Sequence, residues 1–168
     1  MNILLKKFIQ NPLKICTVKA STNLSAKKIA NLINNTENNN VIEIGGGTGA
    51  LTQFVKNKDV TIIERDYELS EILKTNYPQY TIKNQCGVSY LKEYKNEYGL
   101  LASIPLIDKE LKTELINCIN DHISKNQIKW IVNLGYQYFD PLKGINFKNK
   151  KRYITLKSFP LEMIWHYF

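Results

Sequence analysis

What this sequence lacks excludes several classes of protein. It has only three cysteines, Cys16, Cys86 and Cys118, and they form no C-x-x-C pair. An odd number of scattered cysteines fits reduced thiols better than a disulfide framework, and neither histidine lies at zinc-ligand spacing from them. No apolar run approaches the roughly 18 residues that cross a bilayer, and no signal-peptide pattern opens the chain. We therefore expect a reduced, metal-free protein that neither spans a membrane nor is secreted.

The rest of the composition is that of an ordinary globular domain. Apolar residues make up 43% and charged residues 23% of the chain, which is close to the average for folded proteins. A length of 168 residues falls within the range of about 100 to 200 residues that one domain occupies. We predict that residues 1–168 form a single domain.

Acidic residues are nearly absent from both ends of the chain. Residues 1–36 carry six lysines and no acid, residues 37–140 carry 11 bases against 14 acids, and residues 141–168 carry six bases against one acid. This distribution indicates that the ends contact an anionic partner, either lipid headgroups or nucleic acid. The alternative is that they are solvated lysines of a Lys- and Asn-rich sequence.

The first basic end predicts a helical extension over residues 1–36. Residues 3–10 place apolar side chains on one helical face and lysines on another, and Pro12 ends this pattern. Such a helix either lies in a membrane interface or covers the domain's own core and cofactor.

Strand and helix patterns alternate through the rest of the chain. The predicted strands are 41–44, 60–64, 80–83, 98–101, 128–134, 152–156 and 163–168, and the predicted helices are 24–33, 50–56, 67–74, 88–94 and 107–124. This alternation predicts an α/β fold, a doubly wound and mostly parallel sheet with an antiparallel carboxy-terminal strand.

A glycine-rich segment follows the first predicted strand. It reads Val41-Ile-Glu-Ile-Gly-Gly-Gly-Thr-Gly-Ala50 and leads into a predicted helix. Glycines let the backbone turn tightly and approach a ligand, and a helix amino terminus offers free N–H donors. The same letters satisfy the dinucleotide pattern G-x-G-x-x-A, so the loop alone does not separate nicotinamide from adenosylmethionine cofactors.

Two carboxylates distinguish these cofactors. Glu43 lies inside the first strand, where a carboxylate is costly unless it meets a bound charge or a donor network, and a cationic methionine group supplies that charge. Glu64 ends the second strand, where its carboxylate can accept both ribose hydroxyls. The alternative for Glu43 is that it caps N–H groups of the loop.

The motif E-I-G-G-G-T-G, with an acid at the end of the next strand, resembles that of class I S-adenosylmethionine-dependent methyltransferases. The resemblance implies a Rossmann-like methyltransferase fold and S-adenosyl-L-methionine as cofactor. The residues expected to contact the cofactor are Glu43, Gly45, Gly46, Gly47, Thr48, Gly49, Glu64, Arg65, Cys86, Gly87 and Ser103.

Shorter motifs are similar to those of the bacterial phosphatidylethanolamine N-methyltransferases. They are Asn11-Pro-Leu-Lys, residues 18–22, Ala102-Ser-Ile-Pro-Leu106, and Phe159-Pro160 followed by Trp165 and Tyr167. This resemblance implies a phospholipid amine as substrate and a cytoplasmic protein held peripherally on an anionic membrane. The expected membrane or substrate contacts are Leu4, Leu5, Lys6, Lys7, Phe8, Lys14, Ser21 and Thr22. Where that family commonly has an acid for the adenine amino group, this chain has Cys86, so a backbone N–H near Gly87 is expected to serve instead.

Methyl transfer to an amine is an in-line displacement, in which the protein aligns donor and acceptor and excludes water. An ammonium must first lose its proton, and the expected proton acceptors are Ser103, the Ile104 carbonyl and Tyr136. Tyr136, Tyr138 and Phe139 could also hold a methylated ammonium by cation–π attraction, or simply pack at the end of the sheet.

Two alternatives remain from the sequence. The pattern E-I-G-x-G-x-G-x-L-T is also that of the rRNA adenine dimethylases, which would make the chain an RNA adenine N6-methyltransferase. Those enzymes have N-L/I-P-Y after the fourth strand, whereas this chain has Ser103, Ile104, Pro105 and Leu106. The other alternative is a non-catalytic relic of the fold that binds cofactor or a partner.

Overall fold

The computed structural model describes residues 23–104, 106, 108–136, 138–155 and 161–168. The predicted helix at 3–10 lies outside the described residues. So do the expected membrane or substrate contacts Leu4, Leu5, Lys6, Lys7, Phe8, Lys14, Ser21 and Thr22.

Strands and helices alternate as the sequence predicts. The helices are α1 (Asn23–Asn34), α2 (Tyr67–Asn76), α3 (Gly87–Glu93) and α4 (Lys109–Ser124), with a short 3-10 helix at Thr52–Phe54. The strands are β1 (Asn40–Ile44), β2 (Asp59–Ile63), β3 (Thr81–Lys83), β4 (Tyr98–Ala102), β5 (Ile128–Gly135), β6 (Lys150–Thr155) and β7 (Glu162–Tyr167).

Within the described residues, seven strands form one sheet in the order β3-β2-β1-β4-β5-β7-β6. Strands β1 to β5 are parallel, and β7 runs antiparallel to both β5 and β6. The predicted mostly parallel sheet with an antiparallel carboxy-terminal strand is therefore confirmed. The strand order reverses between β1 and β4, so a crevice opens at their carboxyl ends.

Helices cover both faces of the sheet. On one face, α3 and α4 pack against alternate strand residues such as Ile42, Leu100 and Ile131. On the other face, α1 and Leu73 of α2 pack against the intervening strand residues, which include Val41 and Leu101. Successive strand residues point to opposite faces, so strands that are buried on both sides read as continuous apolar runs.

The helix predicted at 50–56 is wrong, since the structure has only the 3-10 helix at Thr52–Phe54. The segment 50–58 must carry the chain back along the sheet to the start of β2. A five-residue strand is roughly 17 Å long, and an α-helix needs about 11 residues to cover that distance. The segment is shorter than this, so the chain returns in a more extended form and turns at Asn57, whose φ is 56°.

None of the helices within the described ranges has both the length and the apolar character to cross a bilayer.

The contact between Gly99 of β4 and Trp130 of β5 leaves no room for a side chain. A Cβ at Gly99 would lie 2.0 Å from the indole of Trp130, which is itself buried. We expect Gly99→Ala to lower the free energy of unfolding by about 1 to 3 kcal/mol, the usual effect of overpacking a core. Urea denaturation checks this. Gly135→Ala is the matched control, because a Cβ there meets nothing closer than 3.9 Å, and equal stability losses in the two variants would contradict the prediction.

Candidate cofactor and active site

The glycine loop lies at the switch point of the sheet. Gly45 N donates to Ile63 O at 2.9 Å and Ser103 N donates to Ile44 O at 3.0 Å, so hydrogen bonds join the ends of β1, β2 and β4. Gly45 has a φ of +80°, and a Cβ there would lie 2.5 Å from the Ser103 carbonyl oxygen. Only glycine allows the loop to turn this close to β4.

Gly47 is the open position of the loop. Its φ is +56°, and a Cβ built there would have no heavy atom within 4 Å. The backbone at this position therefore faces free space in the crevice, where a ligand can approach it closely.

Glu64 follows β2 directly and is buried. Its Oε2 accepts a hydrogen bond from Gly47 N and its Oε1 accepts one from Asp66 N, both at 2.9 Å. Burial raises the pKa of Glu64 above its ordinary value, although these two hydrogen bonds act in the opposite direction. A carboxylate has about four acceptor positions, so two remain for a ribose diol.

Glu43 lies in β1, and its carboxylate is buried. One oxygen accepts a hydrogen bond from the Thr52 hydroxyl, while Oε1 has no partner. The structure therefore shows a hydroxyl contact and not the loop-capping alternative. Burial raises the pKa of Glu43 to about 8, and the nearby charge of Glu64 adds to the effect. The unpaired oxygen of this buried carboxylate fits a cationic group such as the methionine ammonium of the cofactor.

Cys86 and Gly87 begin α3 beside the end of β1. A Cβ at Gly87 would lie 2.9 Å from Cγ2 of Ile44, so the start of α3 packs closely against β1. Cys86 is the exposed residue that precedes α3. An exposed thiol thus stands where an acid for the adenine amino group was expected.

The three candidate catalytic residues follow β4 and β5. Ser103 and Ile104 come directly after β4 and contact the glycine loop, since a Cβ at Gly45 would lie 2.6 Å from Cγ2 of Ile104. Tyr136 follows β5, the neighbouring parallel strand, and is half-buried at the same edge of the sheet. Leu106 is buried in the core cluster that also contains Leu115 of α4.

The structure brings the predicted cofactor residues to one edge of the sheet. These are Glu43, Gly45, Gly46, Gly47, Thr48, Gly49, Glu64, Arg65, Cys86, Gly87 and Ser103. Two contacts were missed from the sequence. Thr52 is the partner of Glu43, and the threonine of the pattern E-I-G-x-G-x-G-x-L-T was the signal for it. Tyr77 donates its hydroxyl hydrogen to Gly49 O at 3.0 Å, and no sequence pattern indicates this contact.

The fold and the motif define a class I S-adenosylmethionine-dependent methyltransferase. The family model for ribosomal RNA adenine dimethylase matches residues 7–142. This chain belongs to the ribosomal RNA adenine dimethylase family.

Curated relatives carry related names. Ribosomal RNA small subunit methyltransferase A of Hydrogenobaculum sp. is 35% identical over 133 residues, which cover 71% of this chain and 46% of that protein. The rRNA adenine N-6-methyltransferase of Lysinibacillus sphaericus is 34% identical over 115 residues, which cover 66% of this chain and 46% of that protein. The chain thus spans about half the length of these curated relatives.

Solved structures agree on the fold. The 23S rRNA methyltransferase ErmE has a TM-score of 0.65 at 12% identity, over 88% of this chain and 68% of that one. The N-terminal domain of human METTL16 in complex with SAH has a TM-score of 0.62 at 12% identity, over 99% of this chain and 80% of that one.

The predicted phospholipid substrate is wrong, because the family match and the curated relatives are those of rRNA methyltransferases. The motifs that suggested a phospholipid were short, and several of them lie outside the described residues. The glycine motif is common to phospholipid and rRNA methyltransferases. The basic ends were compatible with either lipid phosphates or RNA phosphates. The predicted anionic membrane partner is wrong for the same reason, and membrane association is unsupported. A cytoplasmic location stays a prediction.

The raised pKa of Glu43 gives stability a distinct pH dependence. The folded protein keeps a proton on Glu43 that the unfolded chain releases near the ordinary pKa of 4.5, so stability falls as the pH rises from 4.5 to about 8. One such group contributes a slope of at most about 1.4 kcal/mol per pH unit. Glu43→Gln should remove this part of the slope in urea denaturation curves.

The control for this experiment is Glu71→Gln, since Glu71 lies on the exposed side of α2 and pairs with Lys74. It should keep the slope of the wild type. Equal slopes for the wild type and Glu43→Gln would show that Glu43 is ionised in the folded protein.

Proposed function

We propose that this chain carries the methyltransferase domain of an S-adenosylmethionine-dependent enzyme that methylates the N6 amine of adenine in ribosomal RNA. The proposal is supported by the family match over residues 7–142. It is also supported by the glycine loop, in which Gly47 N donates a hydrogen bond to the buried carboxylate of Glu64. The family match concerns the chain as a whole, and the proposal adds that this chain itself acts on ribosomal RNA.

The cofactor contacts are assigned from this geometry. The free acceptor positions of Glu64 receive the ribose hydroxyls, and the unpaired oxygen of Glu43 attracts the methionine ammonium. The loop at Gly47 leaves space for the backbone to approach the ligand. When bound, S-adenosylmethionine supplies an activated methyl group.

The acceptor side is formed by the segment after β4. The exocyclic amine of adenine carries no extra proton, but its lone pair is delocalised into the ring. Carbonyl and hydroxyl oxygens that accept its N–H hydrogens orient the amine, and the proton that the nitrogen loses after transfer passes to water. Ser103 and the Ile104 carbonyl fill this orienting role, and Tyr136 lies at the end of the next strand. The target adenine must leave any base stack to reach this edge.

The Glu64 assignment is tested by substitution. Glu64→Ala removes two acceptor positions for a diol and the hydrogen bonds to Gly47 N and Asp66 N. We expect cofactor affinity, measured by isothermal calorimetry, to fall by about 1.5 to 3 kcal/mol, the usual range for hydrogen bonds to charged groups. Glu71→Ala on the exposed face of α2 is the control. Unchanged affinity for the cofactor in Glu64→Ala, or tighter binding of a nicotinamide dinucleotide, would refute the assignment.

The substrate is tested by label transfer. The protein is incubated with methyl-labelled cofactor and either unmodified transcribed rRNA or anionic phospholipid vesicles, and the RNA is digested to nucleosides. We expect label in N6-methylated adenosine, none in lipid, and a reduced rate for Ser103→Ala. Label in lipid or in another base would overturn the proposal.

Two departures from the family pattern favour a second candidate. Ser103 and Leu106 replace the Asn and the aromatic residue of N-L/I-P-Y, and Leu106 is buried. Cofactor binding without transfer to any RNA would assign the chain to the non-catalytic relatives of the fold.

A further inference from the structure

Two exposed aromatic side chains lie in the loop that follows Tyr136 and contacts β6. Tyr138 is 58% exposed and Phe139 is 81% exposed, and both follow β5, three and four residues after its last residue, Gly135. Because the two rings are adjacent, they form a contiguous apolar patch, and such patches are typical of interaction sites. The geometry around them shows which partner fits.

Arg152 of β6 holds Tyr138 in place. Its guanidinium carbon lies 4.4 Å from the centre of the Tyr138 ring and 5.4 Å from that of Trp165, and its Nη1 donates to Tyr138 O at 3.0 Å. The Phe139 ring stands edge-on to Tyr138, with centroids 5.7 Å apart and planes at 90°. We call Tyr138, Phe139 and Arg152 the aromatic–basic patch. Its rings are exposed yet oriented, which lowers the entropy cost of stacking on them.

The surface beside the patch is strongly basic. Residues 141–155 contain five cations and no acid, and all five side chains are exposed: Lys143, Lys148, Lys150, Lys151 and Arg152. Asp140, which precedes this segment, is already engaged by Lys150 at 2.8 Å and by the Tyr167 hydroxyl at 2.5 Å. The neighbouring charge therefore attracts an anionic partner.

We propose that the aromatic–basic patch is a stacking platform for unpaired bases of the RNA strand next to the target nucleotide. Aromatic faces bind bases of any sequence by stacking, while cations contact the backbone phosphates. The patch belongs to the loop that runs on from Tyr136 and is held against β6 by Arg152, so a strand that delivers its base beside Ser103 and Tyr136 can continue across this surface. The inference deepens the proposed function and rests on it for the nature of the partner.

The test is fluorescence anisotropy without cofactor, using a labelled single-stranded RNA oligomer and a blunt duplex of the same length. Phe139→Ala should weaken binding of the single strand by about 5- to 100-fold, the usual loss for one stacked base, and leave the duplex nearly unaffected. Phe139→Tyr should retain affinity. Because Phe139 is mostly exposed, its replacement leaves the core intact.

Arg152→Ala should weaken binding and flatten the salt dependence of the single-strand affinity by about 0.7 in log–log slope, as expected for one lost phosphate contact. Lys125→Ala is the matched control, since Lys125 lies on the surface where α4 ends, before the start of β5, whereas Tyr138 and Phe139 follow its other end. Its slope should stay closer to that of the wild type.

The platform would be overturned if Phe139→Ala kept a single-strand affinity within about twofold of the wild type. It would also be overturned if this variant lost binding to vesicles or to protein instead of binding to RNA. These outcomes are separable from those of the proposed function. If the platform variants lose RNA affinity and the wild-type protein methylates no adenine, the proposed reaction is rejected and the platform is retained. Adenine methylation that is unchanged in the variants, with unchanged RNA affinity, would reject the platform alone.

Discussion

The glycine loop can occupy its position only because residue 45 has no side chain. A Cβ at Gly45 would lie only 2.5 Å from the Ser103 carbonyl oxygen and would overlap it. This close approach allows the end of β1 to sit beside the start of the segment after β4. The hydrogen bond from Gly45 N to Ile63 O then ties the end of β1 to β2, and the one from Ser103 N to Ile44 O ties the end of β4 to β1. The cofactor side and the acceptor side of the site are thus built from one hydrogen-bonded junction.

Two carboxylates, those of Glu43 and Glu64, are buried beside the same junction. Burial raises the pKa of both Glu43 and Glu64, and the charge of Glu64 raises the pKa of Glu43 further. The ligand-free protein therefore keeps Glu43 largely protonated at neutral pH. A ligand that brings positive charge and hydroxyl donors favours the ionised forms, so its binding stabilises the fold and releases protons. A neutral or anionic ligand has no such advantage at this site.

The sequence predicted the sheet well because strands buried on both faces leave a strong apolar signal, as in Val41–Ile44 and Ile128–Leu134. It failed at residues 50–56 because the length of chain available between the loop and β2, and not local propensity, decides the form of that segment. The sequence also predicted where Glu43 and Glu64 lie relative to β1 and β2, and their contacts with a cofactor stay a prediction. The Tyr77 contact was not predicted, because it joins residues 28 positions apart. The substrate was misassigned because basic ends and a glycine loop are compatible with any anionic partner.

Under the proposed function, the choice of substrate depends instead on the segments after β4 and β5. In the pattern N-L/I-P-Y, an aromatic ring after the proline grips a planar amine, but here that position is Leu106, which is buried against the core. Residues 103–108 contain no aromatic side chain at all. Among the described residues of the segment after β5, Tyr136 is half-buried and Tyr138 and Phe139 are exposed, and under the proposed function these rings offer faces to a base. Because Arg152 packs against the ring of Tyr138, the proposed platform would recognise a base and the backbone charge through the same few side chains.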